Sequence, residues 1–297
     1  MAIVDELKQR FRAGSILVRI IYINVAIFLA LRIAALLALF FNVMALEVVQ
    51  WVEVPSGELL LRRPWTLFTY MFSHYDLLHI LFNMLWLYWL GRIFMEYFTA
   101  KQLGALYVLG GLMGAALFWV AYAVLPYFDG KMGLLIGASA SVMAIVVAVA
   151  VYVPHYQINL LFLGAVSLKW VAIITVVIDL LSVGDGNLGG QVAHLGGALM
   201  GVLFGLLMRK GHDCTAWLNR SIDALVSLFS SKRGPKMPRQ PKQQKQAAPR
   251  SQETRKTATS VPDEDEIDKI LDKLKQSGYG ALSDEEKERL FMASRKR

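Results

Sequence analysis

Ser139, His194, His79 and Asn83 are the residues of this chain whose types could together carry out chemistry. A serine hydroxyl becomes an effective nucleophile when a neighbouring base takes its proton, and the His194 imidazole is such a base. His79 and Asn83 carry N–H groups able to donate to the negative oxygen that forms on an attacked carbonyl. Four residues apart, they share one face of a helix. This is the equipment of acyl transfer. Gly137, two residues before the serine, permits close backbone approach. Gly197 and Gly201 have the GxxxG spacing that lets two helices pack closely, which would bring His194 within reach of Ser139. Hydrolysis also needs water, and Gly133, Ser141, His74 and Gln191 are expected to line a wet cavity. No carboxylate is expected at the same depth, so the pattern predicts a Ser–His pair. His155 and His212 fall in or near connections and are expected to be solvated.

The elements that must position these residues are membrane spans. Of 297 residues 56% are hydrophobic and 18% charged, against roughly 45–50% and about 25% in soluble domains. That composition excludes a cytosolic enzyme, a collagen-like chain and a fully disordered one. One cysteine, Cys214, excludes a disulfide framework and a thiolate zinc site. Six stretches, roughly 16–41, 77–98, 102–125, 134–153, 168–183 and 191–208, are apolar enough to cross a hydrocarbon core, which needs about 20 helical residues. The first is too long for a cleavable signal peptide. Gln157 to Leu168 is expected to form an interfacial loop.

Orientation follows from the lysines and arginines near the span ends. Lys8, Arg10, Arg12, Arg19, Arg92, Lys101, Lys169, Arg209 and Lys210 fall on one side, and Arg62, Arg63 and Lys131 on the other. Both termini are therefore expected in the cytosol, and the net charge of +8 reports membrane orientation, not nucleic acid. Spans two, four and six then begin at the outer face. At 1.5 Å of rise per residue, Asn83 lies roughly 9 Å, Ser139 roughly 7–8 Å and His194 about 5 Å below it. An amide, a hydroxyl and an imidazole from three helices meet at one level. Arg32 and Asp179 also lie within spans and are expected to snorkel or pair, with no catalytic role.

Residues 1–15 read as a cytosolic N-terminal segment and 16–208 as the six-span core. Within 209–230, Trp217, Leu218, Ile222, Leu225, Val226 and Phe229 share a face, which predicts an amphipathic helix on the inner leaflet. Residues 231–262 hold five prolines and nine basic residues and are expected to be disordered. Over 263–297, Ile267, Ile270, Leu271 and Leu274 repeat at helical spacing, and Gly278 is a stop. Ser283 and Glu286 form a capping box for a second helix carrying Leu290 and Phe291, giving a small helical hairpin whose partner is not legible.

Three segments together resemble the rhomboid intramembrane serine proteases. His74-Tyr-Asp-Leu-Leu-His79-Ile-Leu-Phe-Asn83 is similar to the family's HxxxN segment with its upstream histidine. Gly137-Ala138-Ser139-Ala140 is similar to its GxSx motif, and Ala193-His194-Leu-Gly-Gly197-Ala-Leu-Met-Gly201 to its AHxxGxxxG. The resemblance covers about residues 15–208 and implies an all-α polytopic membrane protein: a six-helix bundle with a membrane-embedded first loop and a short helical cytosolic tail. It implies Ser139 as nucleophile, His194 as general base, and His79, Asn83 and the Ser139 backbone N–H as oxyanion hole. It implies no cofactor and no metal, and membrane-protein substrates cleaved in or near their spans. The loop 42–76, with Arg62-Arg63-Pro64-Trp65 as its anchoring part, resembles the family's first loop. A bacterial cytoplasmic membrane is the expected location, with the site near the outer face. The chain departs from the pattern twice: Ala140 follows the serine where glycine is usual, and Met143 stands where an aromatic ring commonly packs on the histidine.

Two other readings compete. A non-catalytic relative that binds or escorts membrane proteins would lack the serine or the histidine, and both are present. A transporter or metal protein using His74, Asp76, His79 and His194 would need a ligand spacing such as HExxH or a repeat of broken helices, and neither is evident.

Overall fold

Hydrophobic runs interrupted by polar caps set the helix order. A computed structural model describes residues 2–160, 164–182, 187–229, 264–277, 282, 283, 285–287 and 290. Helix α1 (Ala2–Ala13) leads into α2 (Ile16–Leu39), which starts at Ser15, whose side chain accepts from the Val18 N–H. Short pieces follow: α3 (Ala45–Val49), strand β1 (Val54–Pro55), α4 (Leu59–Arg62), α5 (Thr66–Thr69) and a 3-10 turn over Tyr70–Phe72. Helix α6 (Leu77–Tyr97) is capped by Asp76, and α7 (Ala100–Val124) opens with a capping box between Thr99 and Gln102. Strand β2 (Leu134–Leu135) precedes α8 (Ser139–Tyr152). A hairpin of β3 (Gln157–Leu160) and β4 (Gly164–Ser167) leads to α9 (Leu168–Leu181), then α10 (Leu188–Arg209), capped by Asn187, and α11 (Ala216–Phe229).

Helix α8 is the centre of the bundle. Its residues 140–150 are all buried, enclosed by α6, α7 and α10 with α9 alongside. Helix α2 lies at the edge and leaves Leu29, Ile33, Leu36 and Leu37 exposed, a surface suited to lipid. The molecule is a multi-pass helical membrane protein. Among the described residues four helices, α2, α6, α7 and α10, are long and apolar enough to cross a bilayer by length and composition.

The other two expected spans differ from the reading. Helices α8 and α9 have 14 residues each, about 21 Å at 1.5 Å per residue and shorter than the apolar runs that predicted them. The stretch predicted as the start of the fourth span is not helical: Leu134 and Leu135 pair antiparallel with Pro55 and Val54 of the first loop, and the helix begins at Ser139. Hydropathy cannot make that distinction, since extended and helical backbone are equally apolar here. Non-helical backbone at membrane depth is tolerated where protein encloses it. The expected interfacial loop after α8 is the β3–β4 hairpin.

The juxtamembrane helix α11 leaves Trp217, Ile222, Leu225 and Val226 exposed. Lys101 pairs with Asp223 at 2.7 Å, and the Gln102 amide donates to Asp213, fastening this helix to the start of α7. The chain divides into two units, residues 1–234 and 235–297. In the second, α12 (Glu264–Ser277) carries a buried Ile270. The Glu286 N–H donates to Ser283 Oγ and the Ser283 N–H to the Glu286 carboxylate, while Lys273 of α12 pairs with Glu286 at 2.9 Å. Gly278, Phe291 and the linker 231–262 lie outside the described residues.

Candidate active site

The N-terminal ends of α6, α8 and α10 hold the chemistry-bearing residues. His79 and Asn83 lie in the first two turns of α6, Ser139 is the first residue of α8, and His194 follows the first turn of α10. Ser139 Oγ lies 2.6 Å from His194 Nε2. At that distance the hydroxyl can donate to the imidazole, provided the ring proton sits on Nδ1. On the other side of the ring, His194 Nδ1 lies 2.5 Å from Asp179 Oδ1 of α9. This corrects the expectation that no carboxylate stands near the pair. Asp179 does pair, as an ionisable residue in a span should, and its partner is the histidine of the site.

Small residues produce this registry. A Cβ at Gly197 would fall on the Ala140 carbonyl oxygen, one at Gly201 would come 2.5 Å from the Ala144 carbonyl oxygen, and one at Gly205 would come 2.8 Å from Val151. The glycine stripe of α10 is thus pressed onto the backbone of α8, with His194 just above its upper end. From the other side, Gly114 of α7 makes room for the Ala140 methyl: a Cβ at Gly114 would lie 2.6 Å from it. The departure from glycine at 140 is accommodated against α7. Met143 is buried in the core.

The segment before Ser139 is held by the first loop. The Gly137 N–H donates to the Tyr70 carbonyl at 3.0 Å, and the Gly133 N–H to Ser56 Oγ at 2.8 Å. The Ala138 N–H donates to His74 Nε2 at 3.3 Å, so His74 positions the backbone next to the serine. Gly137 has φ of 124°, a conformation only glycine adopts readily, and a Cβ there would lie 2.6 Å from the His79 ring. His79 therefore lies directly against the turn that presents Ser139, and His74 packs edge-on to it at 5.1 Å. The Asn83 amide donates to the His79 carbonyl at 2.9 Å, which leaves one of its two N–H groups for other use. Unlike α6, α7 and α10, α8 has no side-chain N-cap among the described residues. Its first intrahelical bond runs from the Val142 N–H to the Ala138 carbonyl, so the N–H groups of Ser139, Ala140 and Ser141 precede the ladder and suit a negative oxygen. Ser141 Oγ, Gln191 Oε1 and His74 Nδ1 are buried with no hydrogen-bond partner among the described residues.

The first loop is tied to the bundle by residues that composition alone does not single out. The Tyr70 hydroxyl donates to the Gly111 carbonyl at 2.5 Å, the Tyr107 hydroxyl to the Met71 carbonyl at 2.5 Å, and the Trp119 indole to the Gly57 carbonyl at 3.1 Å. Arg63 stacks over Trp51 at 4.4 Å and donates to the Gln50 carbonyl, and the Trp65 indole donates to the Trp51 carbonyl. Arg32 lies 5.1 Å from the Tyr75 ring centre and 5.7 Å from that of Phe28. Its charge is thus met by aromatic faces.

Against known proteins, the Rhomboid domain family model matches residues 61–211, just over half of the chain. The chain belongs to the rhomboid family. A second match, over residues 258–296, is to a family of unknown function (DUF6576). Among curated relatives of this rhomboid chain, Presenilin-associated rhomboid-like protein A, mitochondrial, of Danio rerio is 31% identical over 48% of the chain and 36% of that protein. RHOMBOID-like protein 12, mitochondrial, of Arabidopsis thaliana is 31% identical over 49% of the chain and 47% of that protein. Presenilin-associated rhomboid-like protein, mitochondrial, of Homo sapiens is 26% identical over 56% of the chain and 42% of that protein. The chain thus spans less than half the length of each of these relatives.

Proposed function

We propose that this rhomboid-family membrane protein is a serine endopeptidase that cleaves other membrane proteins in or near their spans. The observation that carries the reading is the 2.6 Å approach of Ser139 Oγ to His194 Nε2. In the proposed reaction, Ser139 Oγ attacks the scissile carbonyl carbon as its proton passes to His194 Nε2, and the carbonyl π electrons move onto oxygen. His79, Asn83 and the first N–H groups of α8 supply the donors for that oxyanion. Collapse expels the amine, which takes the proton from Nε2. A water then loses a proton to Nε2 as it attacks the acyl-enzyme, and Ser139 is released as it regains that proton. Ser141 Oγ, Gln191 Oε1 and His74 Nδ1, buried without a partner among the described residues, are polar atoms that a buried water could satisfy.

Substrates are single spans that enter sideways, with small or helix-breaking residues near the cut, because an intact helix keeps its amide bonds engaged. Both termini lie on the cytosolic side by the charge asymmetry of the connections, with α11 on the inner leaflet and the site near the outer face. A bacterial cytoplasmic membrane fits that orientation, although the relatives above carry mitochondrial names. The test is co-reconstitution with a panel of single-span substrates. Cleavage by the wild-type chain and none by Ser139→Ala is the expected result, and equal cleavage by both overturns the reading.

A further inference from the structure

We infer that Asp179 is a positioning residue for His194, so that the site works as a Ser139–His194–Asp179 triad and not as a two-residue pair; this rests on the proteolytic reading above. Asp179 Oδ1 lies 2.5 Å from His194 Nδ1, while Ser139 Oγ lies 2.6 Å from Nε2 of the same ring. The two contacts use the two ring nitrogens. A carboxylate at Nδ1 can only accept, which fixes the ring proton there and leaves Nε2 as the lone-pair nitrogen facing the serine. That is the tautomer a general base requires. When Nε2 takes the Ser139 proton, the imidazolium that forms is paired with the carboxylate, which keeps its charge throughout.

Burial makes the contact more than incidental. The side chains of His194 and Asp179 are 20% and 15% exposed, and Asp179 Oδ2 is buried with no hydrogen-bond partner among the described residues. A half-satisfied carboxylate inside an apolar helix is costly and is kept where it serves something. His79 of α6 is a second titratable group within electrostatic reach of His194. Helices α7 and α8 carry Lys101, Tyr107, Tyr122 and Tyr152 as their ionisable side chains, none of which hydrogen-bonds the ring. Asp179 is thus the one carboxylate in contact with His194 among the described residues.

The test compares wild type, Asp179→Asn, Asp179→Glu and Ser139→Ala, reading kcat and KM on a reconstituted single-span substrate together with melting temperature. The asparagine amide can donate to Nδ1 and so hold the proton on Nε2, the wrong tautomer. Asp179→Asn is expected to lose about 10²- to 10⁴-fold in kcat with KM within about 3-fold and little change in melting. Asp179→Glu is expected to recover part of the rate. Asp179→Asn with kcat within about 3-fold of wild type, alongside an inactive Ser139→Ala, overturns the inference and leaves the protease reading standing; an active Ser139→Ala overturns both. Should Asp179→Asn fail to fold, the wild-type chain decides by NMR. A strongly deshielded Nδ1 proton that is lost in His194→Ala is expected, and its absence from wild type overturns the inference.

Discussion

Gly197 of α10 lies so close to Ala140 of α8 that a side chain of even one carbon would fall on the Ala140 carbonyl oxygen. The position follows His194 by three residues and touches the residue after Ser139, so the contact sets how far the imidazole stands from the hydroxyl. Neither partner is a flexible side chain that could move aside. Relief must come from separation of the two helices.

Substitution at this contact should therefore injure chemistry more than folding. Overpacking a closely fitted contact costs about 1–3 kcal/mol, while a shift of about 1 Å between reacting groups can cost on the order of 10²-fold in rate. Gly197→Ala is expected to reduce kcat by at least about 10-fold, and Gly197→Val to abolish turnover. Kinetics and melting curves on the reconstituted variants check this. Near-normal turnover by Gly197→Val would show that the helices separate without moving His194.

His74 fixes the backbone before the nucleophile through its bond from the Ala138 N–H. Removing it leaves that buried N–H without a partner, at about 1–3 kcal/mol. His74→Ala is expected to lower the melting temperature and kcat together, and His74→Gln, which keeps an acceptor, to restore part of both. If His74→Ala melts and turns over as wild type does, the histidine is not what holds the turn.

Cys214 is the single cysteine, so alkylation reports one site. Burial, and then the neighbouring Asp213 carboxylate, push its thiol above the ordinary thiol range. A raised thiol pKa means less thiolate at a given pH, so alkylation is expected to be slower than that of a free thiol at pH 8 and to speed up steadily as pH rises. Asp213→Asn should accelerate it by removing the negative charge. Done in sealed vesicles with an impermeant maleimide, the same experiment reads the side on which α11 begins: the cytosolic side is expected, and modification from the opposite side only would reverse the orientation.

The sequence makes the helical membrane class and the motifs on three helices legible because each has a local signature: an apolar run, a cap, or a fixed spacing. Asp179 was missed, although its depth could have been counted. Counted from the outer end of a span over 168–183, it lies about 6 Å in, level with His194, yet nothing in its own neighbours announces a partner on the next helix. The start of α8 was not legible, since the apolar run continues through 134–138 and short extended and helical segments look alike in hydropathy. The pairing of Val54 with Leu135 joins residues far apart through strands two residues long, too short for any periodicity. Likewise the Tyr70–Gly111 and Tyr107–Met71 bonds depend on tertiary packing and leave no trace in spacing.

Reaction of the folded chain with a fluorophosphonate, read as the rate and site of modification by mass spectrometry, tests the central pairing most directly. The expected result is modification at Ser139 that disappears in Ser139→Ala and slows by at least about 10²-fold in His194→Ala. No modification of Ser139 in the wild type, or an equal rate in His194→Ala, would contradict it and would favour a rhomboid that binds membrane proteins without cutting them.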